Sequence, residues 1–370
     1  MLDVFAGMCS VGEAVGPTRQ VWTNDAQVFA SQVGAALFTS RVLPLRSQSI
    51  ADIYHTRFHE ALARGSEKWR AHLEIESDAL AASTFEEFAV ARSALRSALN
   101  HSPIATPVSY PSLFTRQYAD TFFGLRQALE IDAIVEAVRG YTPTALMEDA
   151  ERWLMIALGR TMLRVSTTTG HFAQFLSPKL NNFRTFQRQR RRMIWQEWLE
   201  SNEEMQPVGD DIWRSQNRSF NEDALTLLPR LVSEKMKPSV IYADPPYTND
   251  QYSRYYHVLE TLFLYDYPST SGAGVYRDGR FVTKFSLKSQ SVASLEALVG
   301  SAARLGADLV LSYPTNGLAY SKGFEIEDLL RRSYRDVEIC HAISHDHSTF
   351  GASKGQAKSA VVEKIYLGRV

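Results

Sequence analysis

Strand and helix patterns alternate at both ends of this chain, whereas its middle shows helical patterns only. An apolar run at residues 1–5 breaks at Gly7, and residues 12–15 resume as a helix. Residues 21–25 and 26–39 repeat the strand and the helix. Such alternation favours a doubly wound, mostly parallel sheet whose ligands lie beyond the carboxyl ends of the strands.

The alternation returns at about residue 205. Strands are predicted at residues 212–220, 239–243, 307–312, 337–343 and 360–367, and helices at residues 223–236, 253–265 and 324–333. Helical spacing in the middle is found at residues 51–100, 118–140 and 145–165, and residues 269–274 are predicted to form a mobile loop. We therefore predict a sheet closed by a hairpin of the last two strands, with a large helical insertion between its second and third strands.

Composition limits the class of protein. With 45% hydrophobic and 22% charged residues, the 370-residue chain can bury a sizeable core. Its 40 Lys and Arg nearly balance its 41 Asp and Glu, so any nucleic-acid surface must be local. Only Cys9 and Cys340 are present, which argues against a disulfide-stapled fold and indicates the cytoplasm. No apolar stretch is long enough to span a bilayer, and the N-terminus does not resemble a signal peptide.

The segment Asp244-Pro245-Pro246-Tyr247 follows the apolar strand predicted at residues 239–243. A Pro pair cannot continue a strand and holds a rigid, extended turn, which fixes the carboxylate and the neighbouring carbonyls at the sheet edge. Acceptors beside an aromatic face suit an exocyclic amine on a planar ring, as in a nucleobase. Hydrogen bonds from that amine would stabilise the positive charge that develops on it during methyl transfer. The alternative is a helix-entry turn with a surface tyrosine.

Two segments resemble a known family. DPPYTNDQYSRYYHVLETLFLYDYP at residues 244–268 and DVFAGMCSVG at residues 3–12 are similar, in order and spacing, to the Dam-like, alpha-group DNA adenine-N6 methyltransferases. The resemblance covers residues 1–40 and 205–370, and extends weakly to residues 114–138. It implies a Rossmann-like class I methyltransferase sheet, mostly parallel with the last strand antiparallel.

The resemblance also implies a function and a division of the chain. It implies site-specific methyl transfer from S-adenosylmethionine to a flipped adenine in double-stranded DNA, as in restriction-modification. Residues 1–40 and 205–370 would form the catalytic domain, and residues 41–204 a helical insertion for target recognition. A partner restriction or defence protein is a possible associate, and neither a membrane nor a metal is expected.

Site residues follow from the same resemblance. Asp244, Pro245, Pro246 and Tyr247 are implied to be catalytic, and the residues implied to bind the cofactor are Phe5, Ala6, Gly7, Asp25, Asp223 and Asp244. Asp25 would hold the ribose hydroxyls and Asp223 would face the adenine. Two alternatives stay open, because Asp25 could be a simple turn carboxylate and Asp223 could be a helix N-cap.

The sequence departs from the family pattern at two places. Cys9 stands where the family commonly has a second glycine, so we expect its side chain to narrow the approach of the backbone to the cofactor. Relatives usually carry a segment with a lysine and glycines before the first strand, whereas this sequence begins at that strand. Either another part of the chain or a partner supplies the contact with the methionine part of the cofactor, or cofactor binding is compromised.

A basic segment marks the predicted insertion. Residues 152–196 contain nine Arg and Lys and no Asp or Glu, with phenylalanines interleaved. Basic side chains with polar neighbours suit contacts with phosphates. The residues predicted to bind DNA are Lys179, Arg184, Arg188, Arg190, Arg191 and Arg192. The alternative is a solvated helix paired with the acidic residues that follow it at 197–211.

Other interpretations compete with the leading one. Residues 251–257 are polar and aromatic and could stabilise a distorted duplex, but their tyrosines could equally pack on one helical face. The chain could be a catalytically weak or inactive DNA-binding subunit of a modification or defence assembly. It could also act on RNA or on a protein amide. His341, His345 and His347 lack the Cys or Glu partners that a metal site needs.

Overall fold

The computed structural model describes residues 1–100, 111–140, 148–347 and 359–370. It divides into two compact units. The first unit comprises residues 1–41, 207–255 and 280–370, and the second comprises residues 42–206 and 256–279. Residues 256–279, which lie outside the predicted insertion, are thus part of the second unit. No helix among the described residues is both long and apolar enough to cross a membrane.

A seven-stranded sheet forms the centre of the first unit. Its strands are β1 (Leu2–Asp3), β2 (Trp22–Asn24), β3 (Arg218–Phe220), β4 (Val240–Ala243), β7 (Asp308–Pro314), β8 (Asp336–His347) and β9 (Ser359–Arg369). Their order is β3-β2-β1-β4-β7-β9-β8. The first five strands in this order pair in parallel with their neighbours, whereas β9 runs antiparallel to both β7 and β8. The predicted sheet, mostly parallel with an antiparallel last strand, is confirmed.

Helices cover the sheet, because a parallel sheet must bury both of its faces. In the first unit they are α1 (Ser10–Val15), α2 (Val28–Thr39), α11 (Asp211–Arg214), α12 (Ala224–Ser233), α14 (Ser291–Arg304) and α15 (Ile326–Ser333). The core between α12, α14, α15 and the sheet is built from leucines and other apolar residues, such as Leu227, Leu298 and Leu309. Helix α14 is an element that the sequence analysis did not assign.

One predicted strand is shorter than expected. Residues 212–220 were expected to be extended, but their first part forms α11 and only its end forms β3. The physical reason is a local cap: the Asp210 side chain accepts a hydrogen bond from the Trp213 N–H over 2.8 Å. The Arg214 guanidinium then donates to the Ser40 carbonyl over 2.7 Å, which fixes the turn against the end of α2.

The second unit is almost entirely helical, as expected for the middle of the chain. Its helices are α3 (Ser47–Lys68), α4 (Arg70–Ala81), α5 (Phe85–Asn100), α6 (Leu113–Gln117), α7 (Leu125–Arg139), α8 (Asp149–Val165), α9 (Phe183–Arg191), α10 (Ile194–Glu203) and most of α13 (Ser253–Leu264). The predicted loop at residues 269–274 instead contributes to a small hairpin of β5 (Thr270–Ser271) and β6 (Tyr276–Arg277).

In this unit, buried carboxylates on the side of one helix bind the N-terminal N–H groups of another. Glu76 of α4 accepts hydrogen bonds from the first N–H groups of α7, at Leu125 and Arg126. Glu130 of α7 does the same for the Ile194 N–H at the start of α10. Asp132 of α7 accepts from the first turn of α6. A helix N-terminus leaves N–H groups unpaired and carries partial positive charge. A buried carboxylate accepts hydrogen bonds from these N–H groups and balances the charge.

Candidate active site

The loop after β1 is shaped by a glycine and by an aspartate from the next strand. Gly7 has a φ of +49°, a region that side chains rarely adopt, and a Cβ added there would meet no protein atom within 4 Å. The Gly7 N–H donates to Asp25 Oδ2 over 3.0 Å. Phe5 packs edge-on against Phe285, with ring centroids 5.3 Å apart. The loop therefore offers exposed backbone to a ligand while its shape is held from behind.

Asp25 follows β2, as predicted, and both of its oxygens hold backbone. Besides Gly7, the Gln27 N–H donates to Asp25 Oδ1 over 2.8 Å. Burial raises the pKa of this carboxyl, and the backbone donors oppose the rise. Each carboxylate oxygen has more than one lone pair, so the group can still accept hydrogen bonds from ribose hydroxyls. The turn carboxylate and the ribose ligand are compatible roles.

Asp223 stands at the start of α12, where its side chain accepts a hydrogen bond from the Leu225 N–H over 3.0 Å. It is therefore a helix N-cap, which was one of the two alternatives for this residue. A neighbour that the sequence analysis missed joins three strand ends: Asn24 donates to the carbonyls of Val4 and Glu222 over 3.0 Å each. This crosslink holds the ends of β1 and β2 together with the turn after β3.

Cys9 adopts a backbone conformation that glycine reaches more readily than other residues. Its φ is +69°, a left-handed conformation that costs a non-glycine residue about 1 kcal/mol. The side chain is fully buried, and burial raises the pKa of its thiol. The thiol therefore lies in the interior and not on the solvent-accessible side of the loop.

The Asp244 segment leaves the sheet beside this loop. Strand β4 pairs directly with β1, with Leu2 opposite Ile241 and Asp3 opposite Tyr242, so the carboxyl ends of the two strands are adjacent. Asp244 is the first residue after β4. No donor among the described residues is within hydrogen-bond distance of the Asp244 carboxylate or the Pro245 carbonyl. Two acceptors are thus available at the edge where parallel sheets bind ligands.

The surroundings of Asp244 oppose the ionisation of its carboxyl. Asp244 as a whole residue is exposed, yet desolvation by the protein around its carboxyl raises its pKa to about 7, and the charge of Glu363 adds to the rise. Asp3 is buried, and desolvation raises its pKa to about 7, to which the charges of Asp244 and Asp25 contribute, while the Phe5 N–H opposes the rise. Such a group of carboxyls favours a cationic ligand.

Tyr247 ends the motif as a half-buried side chain. Its ring meets the Tyr313 ring edge-on, with centroids 6.4 Å apart. Its carbonyl accepts the Leu318 N–H over 2.9 Å, and the Tyr313 hydroxyl accepts the Ala319 N–H over 3.2 Å. Pro245 is buried and Pro246 half-buried. The turn is therefore held against the segment after β7, a contact that the sequence did not predict.

Asp3 and Glu363 are parts of the site to which the sequence analysis gave no role. Asp3 could have been found, since an acidic residue at the end of a first strand is a local signal. Glu363 lies on β9, where it accepts a hydrogen bond from Ser312 Oγ of β7 over 2.6 Å. Nothing local marks it, because only the pairing of β9 with β7 brings it to this edge.

The basic segment is divided between the interior and the surface of the second unit. The Arg190 guanidinium is buried, donates to the carbonyl of Thr121 over 2.7 Å and to Thr167 Oγ1 over 3.0 Å, and has its pKa lowered to about 10 by desolvation. Arg192 pairs with Glu197, one of the acidic residues named in the alternative interpretation. These two guanidinium groups have partners inside the chain.

The other four residues predicted to bind DNA are exposed. Arg152, Arg160 and Arg164 of the same segment are half-buried and form ion pairs with Asp149 or Glu204. Arg184 donates to the Ala82 carbonyl over 3.1 Å, and Arg191 donates to the Leu80 carbonyl, so both satisfy groups at the C-terminal end of α4. Lys179 and Arg188 are exposed, and neither side chain has a hydrogen bond or an ion pair with another described residue. The exposed face of the segment therefore consists of Lys179, Arg184, Arg188 and Arg191.

The aromatic group after the motif is mostly packed. His257 is fully buried and its Nε2 lies 2.9 Å from the Phe172 carbonyl. The rings of Tyr252 and Tyr255 meet edge-on at 6.0 Å. Gln251 exchanges two hydrogen bonds with the backbone of Thr283. Among the described residues, no group of three or more His, Cys, Asp and Glu could hold a metal ion; the side chains of residues 341–347 lie outside that description.

Comparisons with known proteins agree with this geometry. The chain is 28% identical over 244 residues to modification methylase LlaI of Lactococcus lactis subsp. lactis, covering 65% of this chain and 36% of that protein. It is 23% identical over 199 residues to modification methylase StsI of Streptococcus sanguinis, covering 53% and 27%. It is 46% identical over 56 residues to the type II methyltransferase M.FokI of Planomicrobium okeanokoites, covering 15% and 8%.

The chain thus spans between 8% and 36% of the lengths of these relatives. No solved structure gives a significant match. Residues 115–313, more than half of the chain, match the family described as D12 class N6 adenine-specific DNA methyltransferase, and this match includes the motif at Asp244. The resemblance found in the sequence is therefore confirmed, and the chain belongs to the D12 class of N6 adenine-specific DNA methyltransferases.

Proposed function

We propose that this chain transfers a methyl group from S-adenosylmethionine to the N6 amine of a flipped adenine at a specific site in double-stranded DNA. The observation that carries the proposal is the pair of available acceptors, the Asp244 carboxylate and the Pro245 carbonyl, next to the glycine loop after β1. The neighbouring carboxylates of Asp3 and Asp25 already hold backbone N–H groups, so Asp244 differs from them in being available for a substrate.

The motif residues prepare a poor nucleophile. The adenine amine is unreactive because its lone pair is delocalised into the ring. Accepting its two N–H groups at Asp244 and Pro245 favours a pyramidal nitrogen and stabilises the positive charge that forms on it. Pro246 keeps the turn extended, and the Tyr247 ring offers a stacking face for the base. The amine would attack the methyl group directly, without a covalent enzyme intermediate, as the bond between methyl and sulfur breaks and S-adenosylhomocysteine leaves. Asp244 can hold the proton that the amine releases.

The methyl donor would lie against the loop after β1. S-adenosylmethionine supplies an electrophilic methyl group on a positively charged sulfur. Phe5, Ala6 and Gly7 would line its pocket, since a Cβ at Gly7 would project into open space. Asp25 would accept the ribose hydroxyls. Asp223 would face the adenine of the cofactor while it caps α12, and Asp244 would border the methyl group.

Binding of this cation should depend on pH. Asp3 and Asp244 have pKa values raised to about 7, and a positively charged ligand favours their ionised forms. We therefore expect affinity for S-adenosylmethionine to rise as pH increases through about 7 and to level off above it, by about tenfold for each unit by which binding lowers one pKa. Calorimetric titration in buffers of different ionisation enthalpy measures both the affinity and the released protons.

S-adenosylhomocysteine is the matched control, because it lacks the charged sulfur. Its affinity should change less with pH than that of S-adenosylmethionine. Equal pH dependence for the two ligands would contradict an electrostatic role for these carboxyls. The variant Asp3→Asn, which removes one titrating group, should flatten the profile for S-adenosylmethionine.

The helical unit would provide much of the DNA contact. The exposed basic face formed by Lys179, Arg184, Arg188 and Arg191 suits phosphate contacts, and the buried Arg190 and the paired Arg192 would support it from behind. In this proposal, residues 1–40 and 205–370 form the catalytic domain and residues 41–204 form the target-recognition insertion. A DNA-modifying enzyme of this type would work in the cytoplasm, alone or with a restriction or defence protein.

A methyl-transfer assay tests the function directly. The purified chain is incubated with radiolabelled S-adenosylmethionine and genomic DNA that lacks adenine methylation. The DNA is then digested to nucleosides, which are separated by chromatography and identified by mass. We expect label in N6-methyladenine and, by sequencing, at one short recognition site. Label only in RNA or in protein would assign another acceptor. Tight DNA binding without any label would instead support a binding subunit.

A further inference from the structure

A small cavity on the surface of the helical unit lies outside the site described above. It measures about 170 Å³ and is bordered by Phe88, Arg92, Ser93 and Arg96 of α5 and by Pro178 of the loop before α9. Helix α5 precedes residues 115–313, so this wall of the cavity is not part of the family match. Neither the sequence analysis nor the relatives assign it a role.

A single carboxylate orients both arginines of the cavity. Arg92 donates from Nε to Asp120 Oδ1 over 2.8 Å, and Arg96 donates from Nε to Asp120 Oδ2 over 2.9 Å. Each also donates from Nη2 to the Asp120 carbonyl, over 3.2 and 3.4 Å. The Nη1 groups of the two arginines have no hydrogen-bond partner in the part of the chain that the structure describes. The two guanidinium groups are thus fixed with donors remaining.

The surroundings leave this cluster with excess positive charge. The buried Arg190 lies behind it, and the guanidinium groups of Arg92 and Arg190 are 5.3 and 4.7 Å from the centroid of the Phe186 ring. The three arginines face two carboxylates, those of Asp120 and Glu76. An anion in the cavity would therefore meet a net positive charge and donors that are already in place.

We propose that this cavity binds a phosphate group of the DNA backbone, with Arg96 and Arg92 as its donors. The inference rests on the proposed function, because it assumes that the chain binds DNA. The Arg96 side chain is 46% exposed, so a ligand from solvent can reach it. The Arg92 side chain is 13% exposed and lies deeper in the cavity. Pro178 lines the cavity, and the next residue in the chain, Lys179, is exposed and belongs to the basic face. The cavity therefore extends the basic face of residues 179–191 onto α5.

The size and chemistry of the cavity favour a phosphate over larger ligands. Its volume is below the roughly 300–1,000 Å³ that enclose a drug-sized molecule, so it does not hold a whole nucleotide. Arginine forks match the oxygens of a phosphate, and the Ser93 hydroxyl adds a neutral donor. Such contacts fix the register of a protein on the duplex without reading its sequence.

The salt dependence of duplex binding tests this proposal. The variant Arg96→Gln is compared with Arg57→Gln, an exposed arginine of α3 in the same unit and away from the cavity. Fluorescence anisotropy of a labelled duplex gives the affinity at several salt concentrations. We expect Arg96→Gln to reduce the slope of log affinity against log salt by about 0.9, the value for one lost phosphate contact, on every sequence tested. Arg57→Gln should keep the wild-type slope.

Two further variants separate charge from structure. Arg96→Lys keeps the charge and should retain most of the slope. Ser93→Glu places a carboxylate at an exposed helical position of the cavity wall, so it should weaken duplex binding without unfolding α5, as circular dichroism would verify. A wild-type slope in both Arg96→Gln and Ser93→Glu would overturn the proposal.

Controls distinguish this inference from the proposed function. If inorganic phosphate binds wild type more tightly than Arg96→Gln while the two proteins have the same salt slope with duplex DNA, the cavity is a free-anion site and the proposal fails. If the wild-type chain methylates DNA but Arg96→Gln has an unchanged slope, only the cavity assignment is lost. If the wild type does not bind duplex DNA at all, the proposed function fails first.

Discussion

Replacing Asp244 with alanine is expected to lower the rate of methyl transfer by about 10²–10³, the usual cost of removing one group that stabilises a transition state. The carboxylate follows β4 and accepts no hydrogen bond from the described part of the chain, so the fold does not depend on it. Its negative charge would act on the positive charge that develops at the adenine nitrogen. The loss should therefore appear in the rate constant rather than in the melting temperature.

Single-turnover methyl transfer with saturating DNA and S-adenosylmethionine measures this effect. Calorimetric titration checks that the variant still binds the cofactor, for which Gly7 and Asp25 remain. Asp244→Asn is the matched control, because its amide keeps one acceptor oxygen but no charge, and its rate should fall between those of wild type and Asp244→Ala. A wild-type rate in Asp244→Ala would remove this residue from the mechanism.

The second large effect is expected at Asp132, far from the motif in sequence. Its buried carboxylate accepts hydrogen bonds from the N–H groups of Phe114 and Thr115 and the Thr115 hydroxyl, over 2.7 to 2.9 Å, and from the Tyr265 hydroxyl over 2.6 Å. Burial raises its pKa to about 6, and these donors oppose the rise, so it is ionised at neutral pH. Asp132→Ala would leave several buried donors unpaired, and we expect a loss of at least about 3 kcal/mol in the free energy of unfolding.

Urea unfolding followed by circular dichroism measures this loss. Tyr265→Phe is the matched control, since it removes one donor and keeps the ring, and it should cost about 1 kcal/mol. Asp132→Asn keeps the volume and one acceptor oxygen and should be intermediate. If Asp132→Ala proved no less stable than Tyr265→Phe, the carboxylate would not be the centre of this network.

The sequence predicted much of the catalytic half because the relevant signals are local. A short apolar run followed by Asp244-Pro245-Pro246-Tyr247 favours a buried strand that stops at a rigid turn. The glycine at position 7 marked a loop whose backbone adopts a φ of +49°. Cys9, which the sequence marked as a departure from the family pattern, has a left-handed backbone with a φ of +69°.

Local patterns were less informative where long-range contacts decide. Glu363 reaches the site only because β9 pairs with β7. Asp120, which follows α6, accepts hydrogen bonds from both Arg92 and Arg96 of α5. Residues 212–214 had an acceptable strand pattern, but the Asp210 cap made them helical.

The basic segment shows the same division most clearly. Its composition determined that positive charge is concentrated at residues 152–196, and the alternating ends determined an α/β sheet with the motif at its carboxyl edge. Only the tertiary structure decided that Arg190 is buried against Thr121 while Arg188 is exposed. The physical reason is that the backbone sets the periods of strands and helices within a few residues. A long charged side chain instead takes as its partner whichever distant carbonyl or carboxylate the packing of the fold brings within its reach.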